Sequence, residues 1–531
     1  MQVLSHRTLP RVASVSRPVA WAAICTLGLC AFAVSAPTIL FTQGPYDALV
    51  PLDAGVRLLN GSIPSIDYPS PIGLLYALFH AVTMWLGGID ARAIWWANIL
   101  VTVLCFAGLV PMSEGLPKGT RFLILAAIGA TLLLPLDIDT FPPNYRYVAN
   151  YNHWGWGLIG IVITWTLRPG RMRAINNIIA GLTLAAIFYL KLSIFAGAIP
   201  LMALGLAADR RLNDYLLPLG IMVLALLLGL WHGLLPAYLI DNIAVLRATD
   251  PVRAYKLLWE IVTPFNAPIT ITLVMLFYRL RLRDRMLVTA IAVWLLLNVI
   301  GLQNNYKFIP VIAWPLLLVL PCLPAPYRRW PFHVILAQTV VLIAAAAFGF
   351  GLQTTVARAV AATPLGEPGS LGAHIDLSTI GGSENWRADP QGDTIFDTDQ
   401  NLHTFIDLSR PLIAGHPGRF FTLEFANVAL LSFPVAKPAS SGTLWQDLGR
   451  SFSARSYVTA QQLFQQAEFV LVPKRYRSAS ARELTRLYQP WLDKCAATIA
   501  ENELWRLYSI DRGQSQECVD QPTSRYVWFP S

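Results

Sequence analysis

Charge is scarce in this chain. Asp, Glu, Lys and Arg make up only 13% of 531 residues, whereas apolar residues make up 55% and the mean hydropathy is +0.50. Six cysteines are too few for a disulfide scaffold. No GxxxxGK[ST] loop, zinc-ligand spacing, GxSxG elbow or internal repeat occurs, which excludes P-loop phosphate chemistry, zinc modules, serine hydrolases of that type and solenoids.

What is present is a succession of long uncharged runs. About 20 apolar residues match the hydrocarbon core of a bilayer, so the chain reads as an α-helical polytopic membrane protein. The first run, Pro18 to Phe41, follows a basic tail with Arg7, Arg11 and Arg17. Val34-Ser35-Ala36 has the small residues of a cleavage site, but the run is longer than a signal-peptide core and further spans follow, so it reads as an uncleaved helix.

The net charge of +9 does not imply nucleic acid, because the cations sit in short loops between spans. RPGRMR (168–173), DRRLND (209–214) and RLRLRDR (279–285) are such loops, and the positive-inside rule places them, with the N-terminus, in the cytoplasm. Spans then run inward over 154–167, outward over 174–190, inward over 192–208 and outward over 215–231. After an external loop, four more follow over 264–278, 286–301, 308–323 and 331–353. Three candidates, 71–87, 94–111 and 122–136, lie where an even number is needed. The expectation is therefore 11 or 13 spans, with one of the three short, interfacial or broken.

After residue 353 the hydropathy falls. Segments 419–425, 467–473 and 504–510 read as strands, and 401–413, 457–466 and 479–492 as helices, which suggests an α/β domain over 354–531 on the external side. Cys25, Cys30, Cys105 and Cys322 lie in apolar runs and read as packing residues. Cys495 and Cys518 lie in the polar tail, where a disulfide is open to them outside the cytoplasm; spacing alone leaves the pairing undecided.

The first external loop, 42–70, carries three carboxylates: Asp47, Asp53 and Asp67. Leu49, Leu52, Val56 and Leu59 fall at helical spacing with Asp53, Arg57 and Asn60 on another face, the pattern of an amphipathic helix in the membrane interface. The structural reading makes Asp47 an N-cap and Asp53 an i,i+4 partner of Arg57; the chemical reading makes them a site with Tyr68. Lys191 interrupts two apolar half-runs, where a cation needs an anion or the external surface. Lys307 and Asn305 emerge on the same face, as do Arg146, Tyr151, Asn152 and His153. Cations, amides and aromatics so gathered suit a membrane-bound phosphate with a sugar attached. His153 reads as a hydrogen-bonder before a metal ligand.

The aspartate-bearing loop after the first span, the multi-span body, the later lysine at a span end and the C-terminal domain together resemble the GT-C class of integral-membrane glycosyltransferases. YDALVPLDAGVRLLNGSIPSIDYPSPIGLLY, YNHWGWGLIG and FVLVPKRY are similar to blocks of uncharacterised bacterial members; protein O-mannosyltransferases and the lipid A aminoarabinose transferase are relatives in fold. The resemblance implies a polyprenyl-phosphate sugar donor used at the periplasmic face of the bacterial inner membrane, with a lipid-linked or envelope glycan as acceptor. It also implies a loop aspartate as catalytic base. Asp47 matches that position best, but the usual acidic pair is Asp47-Ala48 here, so the base stays open between Asp47 and Asp53. Some relatives use a divalent cation, which the acid cluster can hold and nothing requires. A transporter or flippase, and a glycan polymerase or ligase, are the alternatives; the first is disfavoured by the missing repeat and by charges gathered at one face rather than at the midplane.

Overall fold

The computed structural model describes chiefly residues 46–89, 93–133, 150–167, 173–208, 212–249, 408–510 and 526–528, with short pieces at 40–41, 136–137, 144–145, 374–376 and 385–388, and Cys518. The spans expected after residue 263 and the segment containing Asn305 and Lys307 lie outside the described residues, as does Arg146.

The first loop forms helix α1, Tyr46–Leu59. The sequence pattern makes its Asp53–Arg57 face a solvent face, but that face is covered. Asp53 and Arg57 are each 1% exposed, as buried as Leu52 and Val56 behind them. The expectation of an interfacial helix with a wet polar side is therefore corrected: the C-terminal region packs over it.

Helix α2, Leu74–Gly87, is the described form of the first of the three candidate spans. Fourteen residues rise only about 21 Å, short of the ~30 Å hydrocarbon core. Its start is pinned where Gly73 N–H donates to Leu190 O at 3.0 Å. Gly73 lies so close to the Tyr189 carbonyl that a Cβ there would overlap it. Near its other end, Thr83 Oγ1 donates to Ala93 O at 3.0 Å, and the Gly55 position of α1 abuts Met84. These contacts hold α2 against α6 at its start and against α1 and α3 near its end.

Helices α3 (Ala93–Met112) and α4 (Lys118–Leu133) follow, and α3 is long and apolar enough to cross a membrane. At one end of α4 Arg121 donates to Val110 O and Ser113 Oγ; at the other His153 bonds Thr131 O. Helices α5 (Asn150–Leu167), α6 (Arg173–Leu190), α7 (Leu192–Ala208) and α8 (Asn213–Trp231) then alternate in direction. Trp165 Nε1 bonding Asn177 Oδ1, and Ile194 against Gly155, fix α5 between α6 and α7. Helix α8 turns Leu216, Leu224, Leu227, Leu230 and Trp231 outward. A helix in water would bury such residues, and a lipid-facing one exposes them. Helix α9, Leu234–Ala248, follows on the same face as α1 and α2.

The C-terminal region is α/β. Strands β1 (Gly418–Thr422), β2 (Ala436–Pro438), β4 (Phe469–Pro473), β5 (Ala496–Glu501) and β6 (Trp505–Ile510) form one sheet in the order β5-β6-β4-β1-β2. The first two pairings along that order are antiparallel and the last two parallel. The three strands expected from alternation are β1, β4 and β6. Between Thr422 and Ser456 the chain contributes the loops that meet α1, and β3 (Ser456–Val458) pairs with β7 (Tyr526–Trp528). The helix expected over 457–466 shortens to Ala460–Leu463, because Tyr457 and Val458 are taken by that pairing. Helix Ala479–Cys495 is capped by Ser478 Oγ, which accepts from Ala481 N, and packs Leu484, Tyr488 and Leu492 on the sheet. Cys495 and Cys518 are disulfide-bonded.

Candidate active site

The sequence placed its candidates in one group. The structure divides those it describes into two clusters joined by residues 68–76.

The first cluster is the α1 face beneath the C-terminal region. Arg57, one turn after Asp53, donates to it twice, Nε to Oδ1 and Nη2 to Oδ2, both at 2.9 Å. Its third arm donates to Gly442 O, and its guanidinium lies 4.7 Å from the Tyr68 ring centroid. Gly442 approaches the Phe421 ring so closely that no side chain fits. Ser62 Oγ to Ser440 Oγ at 2.8 Å extends the seam. Burial pushes the Asp53 carboxyl upward, and the Arg57 guanidinium opposes that push. A carboxylate with both oxygens bonded to arginine and no solvent path is poorly placed to take a proton from an acceptor, so this geometry is that of the structural alternative. Asp67 is exposed and accepts from Ile63 N at 2.6 Å, capping a turn. Asp47 lies in the first turn of α1, and its side chain lies outside the described residues.

The second cluster is built on Lys191, the single residue between α6 and α7. Its Nζ donates to Asn152 Oδ1 at 2.8 Å and sits 4.4 Å from the Tyr151 ring centroid. No carboxylate pairs with it among the described residues. Burial, and then the positive charge of Arg450 from the C-terminal region, push its ammonium down to about 7. Arg450 is itself tied to Asp447 at 3.2 Å. His153 points elsewhere, Nδ1 donating to Thr131 O at 2.9 Å, and acts as a tie between α5 and α4. Among the described residues no three His, Cys, Asp or Glu side chains gather as a metal ion requires.

Sequence reading missed the residues of α9 that position both clusters. Tyr238 Oη accepts from Leu192 N at 3.0 Å, fixing the Lys191 turn. Asp241, one turn on and fully buried, accepts from Ser70 N and from Tyr526 Oη, each at 2.9 Å. One helix face thus holds the lysine turn, the end of the first loop and the C-terminal strand. Tyr238 and Asp241 share an i,i+3 spacing inside an apolar helix, which was the available signal.

No family model and no curated protein matches the sequence. Among solved structures, the chain is similar to the crystal structure of ArnT from Cupriavidus metallidurans in the apo state, with 13% identity and a TM-score of 0.46; the match covers 93% of this chain and 98% of that one.

Proposed function

We propose that the chain is an integral-membrane glycosyltransferase of the GT-C kind. It takes a sugar from a polyprenyl-phosphate donor and passes it to an envelope glycan or lipid at the periplasmic face. The observation that carries the reading is Lys191: a cation held by Asn152 and Tyr151 at the turn between two apolar helices, with no carboxylate partner among the described residues and a second cation, Arg450, nearby. Such a group suits a lipid phosphate at the depth where a polyprenyl chain presents it. With α2 in the interface plane, the first span, the six helices α3 to α8 and the four later candidates make eleven, and the C-terminal region lies outside with its disulfide.

In the reaction, the acceptor hydroxyl attacks the anomeric carbon, the bond to the phosphate oxygen breaks, and the anomeric centre inverts. A positioned carboxylate takes the hydroxyl proton, worth roughly 10²–10⁴-fold, and Lys191 stabilises the charge growing on the departing phosphate. With Asp53 bound to Arg57, we assign the base to Asp47. Asp47→Asn should abolish transfer of labelled sugar from a polyprenyl-phosphate donor in purified membranes while insertion and folding persist. Full activity in that variant removes Asp47 from the mechanism. Transport of the lipid across the bilayer without any transfer supports the flippase reading instead.

A further inference from the structure

The Lys191 cluster continues inward along a line of rings. The Tyr151 ring meets Tyr76 edge-on at 5.7 Å, Tyr76 meets His80 at 4.7 Å, and His80 stacks on Trp154 at 5.1 Å. Around Trp154 the chain gathers polar atoms that have no partner among the described residues. His80 is fully buried, and its Nδ1 lies 2.8 Å from Tyr76 O. A carbonyl only accepts, so Nδ1 carries the proton. A buried imidazole with no anion beside it stays neutral, which leaves Nε2 as a bare acceptor with no partner among the described residues. Asn98, 1% exposed, accepts from Trp154 Nε1 through Oδ1 at 2.8 Å, which leaves the Nδ2 donors unpaired. Asn150, also fully buried, precedes Trp154 by one helical turn, and neither atom of its amide has a partner among the described residues. Native proteins pair nearly all such atoms, with protein, water or ligand.

An acceptor and several donors set around an indole that His80 already stacks on are what the hydroxyls of a sugar ring need, since each hydroxyl both donates and accepts. We propose that His80, Asn98, Asn150 and Trp154 form a subsite for the sugar of the donor, reached past Tyr76 and Tyr151 from the phosphate held at Lys191. The subsite rests on the glycosyltransferase reading and extends it. Its closure from solvent also keeps water from competing with the acceptor.

The test is lipid binding by the full-length reconstituted protein. Undecaprenyl phosphate alone is compared with undecaprenyl phosphate carrying mannose, galactose or arabinose in turn. Wild type should bind at least one sugar-bearing lipid roughly tenfold more tightly than the bare lipid, the equivalent of one good hydrogen bond. His80→Leu with Asn98→Leu should erase that preference and leave bare-lipid binding unchanged. If the double variant does not fold, Asn150→Ser alone should reduce the preference. A folded variant that keeps the full preference overturns the subsite and makes these atoms partners of an internal water only. Wild type that binds every lipid equally overturns the subsite and leaves the transferase reading standing; wild type that binds none overturns both.

Discussion

Replacing Arg57 by Met should loosen the first loop from the C-terminal region. Arg57 is 1% exposed and makes two bonds to Asp53 and one to Gly442 O. Its removal leaves a buried carboxylate unpaired, which costs about 3–5 kcal/mol. Replacing both residues, Asp53→Leu with Arg57→Met, removes that charge. What remains is the unpaired Gly442 carbonyl, about 1–3 kcal/mol, and the lost contact with Tyr68, about 1 kcal/mol. The double variant should therefore recover roughly 3–5 kcal/mol relative to the single one, since the Gly442 and Tyr68 losses are common to both. Equilibrium unfolding in mixed micelles measures the difference, and sugar transfer is assayed on the folded fraction. A double variant as unstable as the single would refute the buried-pair energetics. A double variant that folds fully but transfers nothing would return Asp53 to the chemistry.

Asp241→Ala takes one partner each from Ser70 N and Tyr526 Oη. The expected loss is about 2–6 kcal/mol, with limited proteolysis opening the chain near residue 526; Asp241→Asn, which keeps one acceptor oxygen, should be milder. The same proteolytic pattern in wild type and Asp241→Ala would contradict the clamp. For Lys191, whose ammonium is pushed down to about 7, a bound phosphodiester raises the value again. Binding above pH 7 therefore takes up a proton, and affinity falls roughly tenfold per pH unit until the bound value is reached. A phosphodiester donor does not titrate in this range, so a flat affinity profile between about pH 7 and 9 would remove Lys191 from the phosphate site.

The helices α3 to α8 were legible because a lipid-facing helix must be apolar for its whole length, and because their basic hairpins mark every second end. The strands β1, β4 and β6 were legible from alternation. The α1 helix was legible too, with its Asp53–Arg57 spacing, but its surroundings were not. A polar helical face signals water only if nothing covers it, and the cover here, Gly442, is 385 residues away in sequence. Which of the three early candidates is short stayed open for a similar reason: hydropathy measures how apolar a segment is, not its tilt. Helix α2 is the shortest of the three, pinned by Gly73 against Leu190 and Thr83 against Ala93.

By itself, the sequence determined where most of the long apolar helices lie and that a mixed α/β region follows them, since these depend on local composition and period. Tertiary structure alone decided which polar side chains meet. Asp53 and Arg57 went with Gly442 to an internal clamp, Asp241 to a three-way tie, and His80 and Asn98 to one indole. Each of those meetings joins segments far apart along the chain, and the energy of a buried polar group depends on the partner it finds, which no local pattern records.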